Sequence, residues 1–195
     1  MDLGINLATS TDSWKIVKRA EELGYARVWF YDTHMLNADV FVGMASAAMV
    51  TSKIRLGTGV LIPSNRIAPV AASALASING LAPGRVDFGI STGNTARTTM
   101  GLGAVKQADM QEYIRIVQAL LRGETVEWDF EGKHRKIRLL GLTSGRILRS
   151  GGTEGRSDAA AGELFAGGIR WQEKADAARQ IFGRDGASGA VGAAG

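Results

Sequence analysis

Cysteine is absent from the 195 residues, which excludes disulfides, thiolate metal sites and cysteine nucleophiles. Histidine is scarce: His34 and His134 alone leave little material for a multi-histidine metal centre. No long apolar run is present, so no segment is expected to span a bilayer and no membrane partner is expected. The start, Met1-Asp2-Leu3-Gly4, places no basic segment ahead of an apolar stretch. Without a secretory signal the expected location is cytoplasmic. A one-sided charge is missing too. Residues 1–140 carry 16 basic and 13 acidic side chains and residues 141–195 carry 7 and 6, so neither part is a basic module. The single basic run, Lys133 to Arg138, alternates with other positions as a solvated strand face does and lacks interleaved aromatics. No nucleic-acid partner is therefore expected.

What is present is a soluble-protein balance of 45% hydrophobic and 22% charged residues, patterned as alternating strands and helices. Strands are predicted near 3–7, 27–31, 54–60 and 85–91, each a short run rich in β-branched, aromatic or aliphatic residues. Helical periodicity follows each one. Trp14, Val17, Ala20 and Leu23 repeat until Gly24 stops the first helix, and Phe41, Met44, Ala45, Ala48 and Met49 mark the inward face of a second over 40–50. Pro69 suits a first helical turn, with Val70, Ala74, Leu75, Ile78 and Leu81 as the stripe behind it. Met110, Tyr113, Ile114, Val117, Leu120 and Leu121 form the face of a fourth helix that ends near Gly123, and Val126, Trp128 and Phe130 alternate into a hairpin around Glu131-Gly132. Consecutive parallel strands need helix-length crossovers, so the pattern implies an α/β fold with a parallel sheet. Trp14, Trp29, Met44 and Met49 are expected to serve packing, and His134 to be structural or solvated.

Three stretches carry the chemistry. Phe30-Tyr31-Asp32-Thr33-His34-Met35-Leu36 follows the second strand. Leu56-Gly57-Thr58-Gly59-Val60, with Pro63, Asn65 and Arg66, ends the third. Ala82-Pro83-Gly84-Arg85 through Gly93-Asn94 surrounds the fourth. In this order and at these separations, residues 1–140 resemble the luciferase-like flavin and deazaflavin oxidoreductases. The resemblance implies a (β/α)8 barrel with its site at the strand C-termini, FMN or a 5-deazaflavin coenzyme as cofactor, a small-molecule substrate and a homodimer. It also implies a bulge with a non-proline cis peptide at the end of strand three.

A flat tricyclic ring needs backbone beneath it without protruding side chains, which Gly57, Thr58, Gly59 and Val60 can provide. The loop Ser91, Thr92, Gly93, Asn94 offers N–H groups and hydroxyls to a phosphate or ribityl chain, although it is neither a Walker A loop nor a dinucleotide fingerprint. Asp32 and His34 stand where barrel enzymes place catalytic groups, and an imidazole beside a carboxylate can move a proton during alcohol oxidation or ketone reduction. Similar deazaflavin enzymes carry an Asp and a His in this loop, but here Thr33 separates them. Asn65 and Arg66 are candidates for contact with an anionic part of substrate or cofactor.

At 195 residues the chain is shorter than the roughly 250 of a full barrel, so the first four βα units plus a hairpin are expected. Residues 141–195 change character: 24 of these 55 are Gly or Ala, and no Val/Ile-rich strand occurs. Such a tail is expected to be low in complexity, as from truncation or a shifted reading frame. The implied function is hydride transfer or luciferase-like monooxygenation of a small organic molecule. The alternative is an inactive fragment that binds flavin weakly or associates with another copy.

Overall fold

The structure is a computed structural model and describes residues 2–140. The expectations for 141–195 lie outside the described residues. Four βα units lead the chain: β1 (Gly4–Leu7), α1 (Ser13–Glu22), β2 (Arg27–Phe30), α2 (Val40–Ala48), β3 (Arg55–Leu61), α3 (Ala68–Leu81), β4 (Val86–Ile90) and the short α4 (Thr95–Thr98). Helix α5 (Gln107–Leu121) follows, then the hairpin β5 (Val126–Phe130) and β6 (Lys133–Ile137). Strands β1 to β4 form one parallel sheet in sequential order. All four predicted strands and the hairpin are present. A 3-10 turn at Pro63–Asn65 and helix α4 are additions, both too short to leave a period in the sequence.

Alternation divides the sheet into two faces. Leu7, Val28, Phe30 and Leu56 are buried on the helix side, where full burial of a large apolar side chain contributes roughly 1.5–3 kcal/mol. Helix α2 approaches through Gly43, since a Cβ there would sit 2.6 Å from Thr9 Cγ2 and 3.4 Å from the Phe30 ring. That close approach sets the helix's rotation. Val40, Gly43, Met44, Ala47 and Ala48 face inward, and Met49, expected inside, is 71% exposed. In α3 the same correction applies: Leu75 and Ile78 are buried as expected, together with Ala68, Ala71, Ala72 and Ala76, whereas Val70 and Leu81 face out. Small side chains let these helices lie close to the sheet and displace the larger ones to the surface.

The opposite face carries Asn6, Trp29, Gly57 and Asp87 in one cross-strand row. Trp29, expected to be ordinary packing, lies flat over glycine. A Cβ on Gly57 would meet Trp29 Cε3 at 2.4 Å, one on Gly59 would meet Trp29 Cβ at 2.5 Å, and one on Gly89 would meet Trp29 Cζ3 at 3.4 Å. Beside the indole, Arg55 Nε donates to both Asp87 carboxylate oxygens at 3.0 Å. Below the sheet, the Glu21 carboxylate accepts from the backbone N–H groups of Ser52, Lys53 and Ile54. Burial works to raise its pKa, but those three donors and the charge of Arg85 prevail and hold it below its ordinary value. This carboxylate ties α1 to the chain entering β3.

Candidate active site

The C-terminal ends of β2 and β3 meet in an ion cluster. Asp32, 3% exposed, accepts from Arg66 Nη1 at 2.8 and 3.0 Å, from Asn65 Nδ2 at 3.1 Å and from Ile62 N–H at 3.2 Å. The other Arg66 Nη donates to Asp39, whose carboxylate also caps α2 by accepting from Phe41 and Val42 N–H. Burial acts to raise the Asp39 pKa, and the Arg66 guanidinium with the two capping N–H groups more than reverses this. The guanidinium further stacks 5.0 Å from the Phe41 ring, and the Arg66 carbonyl accepts from the Tyr113 hydroxyl at 2.9 Å. Burial pushes the Tyr113 phenol well above its ordinary pKa, so it serves as a fixed donor. One arginine thereby holds the end of β2, the start of α2 and the turn after β3.

Residues 33–38 form the loop between those two aspartates. His34 projects from it, with Nε2 2.9 Å from the Met100 sulfur beyond α4. Its Nδ1 is buried without a hydrogen-bond partner, and so is Asn65 Oδ1. Leaving a buried polar atom unpaired costs on the order of 1–3 kcal/mol, so the ends of β2 and β3 each carry an unmet hydrogen-bonding group. Met35, 76% exposed, and Leu36, Met100 and Leu102 add exposed apolar surface.

The end of β3 has the expected irregularity: its register with β4 shifts between Thr58 and Leu61, and the Gly59–Val60 peptide is cis. Thr58 is fully buried, its hydroxyl donating to the Gly89 carbonyl at 2.7 Å and accepting Gly89 N–H at 3.1 Å. Its side chain therefore braces β4. Ser91 N–H bonds to the Leu61 carbonyl, and the Thr92 carbonyl accepts Val105 N–H, which keeps the loop beside the β3 end. Gly93 has φ +79°, and a Cβ there would press on Ile62 Cγ2 at 2.7 Å. Asn94 precedes α4 with its carbonyl accepting from Arg97 and Thr98 N–H, and its side chain makes no capping bond.

The predicted residues thus divide in two. Asp32, Asn65 and Arg66 come together but bind one another, Gly57 lies beneath the Trp29 indole, and the Thr58 hydroxyl faces Gly89. His34, Val60 and the 91–94 loop sit at the strand ends apart from that cluster, and Gly59 lies against Trp29. Met100 and Asp39 were not singled out by sequence, and Tyr113 was read only as part of a helix face, because each acts through a partner distant along the chain or through a turn. His134 lies apart, its Nδ1 2.8 Å from Asp129 in the hairpin.

A family profile described as luciferase-like monooxygenase matches residues 8–183, further along the chain than the quoted motifs extend. A 5,10-methylenetetrahydromethanopterin reductase from Methanolobus tindarius is 35% identical over 134 residues, covering 66% of this chain and 41% of the relative. A limonene 1,2-monooxygenase from Rhodococcus erythropolis is 30% identical, covering 64% and 34%. The solved coenzyme F420 dependent tetrahydromethanopterin reductase from Methanopyrus kandleri superposes with a TM-score of 0.59 at 25% identity, over 69% of this chain and 44% of that one. The chain spans between about a third and two fifths of the length of these curated relatives. With the strand-end motifs in place and the match extending over most of its length, the chain belongs to the luciferase-like monooxygenase family.

Proposed function

We propose that this chain forms the cofactor-facing part of a (β/α)8 oxidoreductase that uses a deazaflavin or FMN and acts on a small organic substrate. The observation that carries this is the pair of buried polar atoms without a hydrogen-bond partner, His34 Nδ1 and Asn65 Oδ1, at the ends of β2 and β3 in a member of this family. The ring N–H and ribityl hydroxyls of such a cofactor are donors of the kind that Asn65 Oδ1 lacks. Gly59, Val60 and the loop Ser91, Thr92, Gly93 and Asn94 would hold it, with the Trp29 indole as a floor above Gly57. Bound there, the cofactor supplies the hydride donor or acceptor. His34 takes up or returns the proton on the substrate oxygen, and Asp32 positions rather than reacts, because its carboxylate is engaged by Arg66. Apolar surface from Met35, Leu36, Met100 and Leu102 suits a substrate with an apolar body. The deazaflavin is the first choice because the Methanopyrus kandleri reductase depends on coenzyme F420.

Titration with FMN and with the deazaflavin coenzyme tests this: saturable quenching of cofactor fluorescence is expected with at least one. Asn65→Leu should weaken that binding about fivefold, the effect of losing one net hydrogen bond of roughly 1 kcal/mol. Absence of saturable quenching with both cofactors would sink the proposal. A second reading, a fragment that binds cofactor without turnover, draws on the outer edges of β1 and β4, which have no strand partner among the described residues. Saturable binding without hydride transfer would favour it.

Homodimer formation is proposed through α2 and α3. Neither sequence, VFVGMASAA nor APVAASALASINGL, contains a charged residue, and Val42, Met49 and Val70 face outward. An uncharged two-helix surface of this kind is a natural self-association face.

A further inference from the structure

We propose that Met100 sets the tautomer of His34, holding the proton on Nε2 and leaving Nδ1 with a bare lone pair. The first observation is the contact itself: Met100 Sδ stands 2.9 Å from His34 Nε2 across 66 residues of sequence. A thioether sulfur has lone pairs and no hydrogen, so it can only accept. A nitrogen this close is attracted to it when it carries N–H and repelled when it presents its own lone pair. The second observation is independent. Nδ1 is buried with no partner, so no acceptor stands there to hold a proton on that nitrogen. In a neutral imidazole the two assignments are complementary, since one nitrogen donates and the other accepts. The opposite tautomer would set lone pair against lone pair at the sulfur and bury an orphaned N–H at Nδ1.

Local structure places the sulfur. Helix α4 ends at Thr98, Met100 N–H bonds to the Arg97 carbonyl at 3.0 Å, and the Arg97 guanidinium is anchored on the Gly103 carbonyl. A short helix following β4 thereby delivers a side chain to the loop following β2. Met100 touches no reacting atom and is a positioning residue. The effect on turnover rests on the proposed oxidoreductase function, whereas the tautomer assignment does not.

Ring nitrogen shifts of the 15N-labelled protein test the assignment directly. At a pH of about 8.5 an ordinary imidazole is neutral, and His134→Gln leaves His34 as the single histidine. The unaltered His34 site should show Nε2 at the limiting position of a protonated nitrogen and Nδ1 at that of a bare one. In Met100→Leu both signals should move toward the averaged positions of free histidine, and turnover with cofactor should fall with little change in KM. A proton found on Nδ1 with methionine in place overturns the proposal without any Met100 variant having to fold. Ring signals unchanged in a folded Met100→Leu protein overturn it as well. A fixed tautomer in a protein that binds neither FMN nor deazaflavin would uphold the Met100 assignment and overturn the proposed function alone.

Discussion

Arg66 satisfies two carboxylates, and the more buried of them depends on it. With Asp32 only 2% exposed at its side chain and Arg66 15%, removing the guanidinium strands a buried negative charge. Arg66→Met should therefore lower stability by on the order of 3–5 kcal/mol, and Arg66→Met with Asp32→Asn should recover much of the loss because no charge then remains buried. Urea denaturation of the three proteins measures this, and a single-variant loss below about 1 kcal/mol would show that water screens the pair. The sequence made Asp32, Asn65 and Arg66 visible as polar residues at strand ends. It did not show that they bind one another, because a carboxylate 34 residues from a guanidinium leaves no local pattern. The sulfur of Met100 was hidden for a related reason: methionine in a short Gly-rich segment reads as filler until its neighbour is known.

Among the strands, the three glycines around Trp29 differ in what they must yield to. At Gly57 a new methyl would push on the indole ring at 2.4 Å, and at Gly89 it would meet the Thr58 carbonyl, which is backbone inside the sheet, at the same distance. A side chain can rotate away and a strand cannot. Both alanine variants fall in the roughly 1–3 kcal/mol range of overpacking, with Gly89→Ala the costlier and Gly57→Ala the one that alters tryptophan fluorescence. Thermal melts of the pair, with emission spectra, check the order, and a costlier Gly57→Ala would mean the indole is held more firmly than the backbone. Gly57 and Gly59 were expected to lie beneath a flat cofactor ring, and the group they lie against in the structure is Trp29. The strands themselves were legible, since apolar runs between turn residues leave a strong signal. Helix faces in α2 and α3 were not, because alanine buries as readily as valine and a helix without charged residues has no polar side to orient it. Only packing chooses the rotation, and Gly43 is where it does so.

At the scale of the whole molecule, that same choice of rotation leaves the larger aliphatic residues outside. If α2 and α3 join two copies, Val42→Lys with Val70→Lys should turn a dimer into a monomer while far-UV circular dichroism stays unchanged, because both side chains face outward and are half exposed. Light scattering over a range of concentrations decides it. An unaltered protein that is monomeric throughout would remove the interface from the account. The guanidinium of Arg66 has one more effect at this scale. It grips Asp32 at one end of the 33–38 segment and Asp39 at the other, so the loop bearing His34 is closed like a clasp. Immobilising a flexible loop costs on the order of 1–2 kcal/mol per residue in backbone entropy. Here that cost falls on folding, so a cofactor bound as proposed would not have to order the loop and would keep its contact energy as affinity.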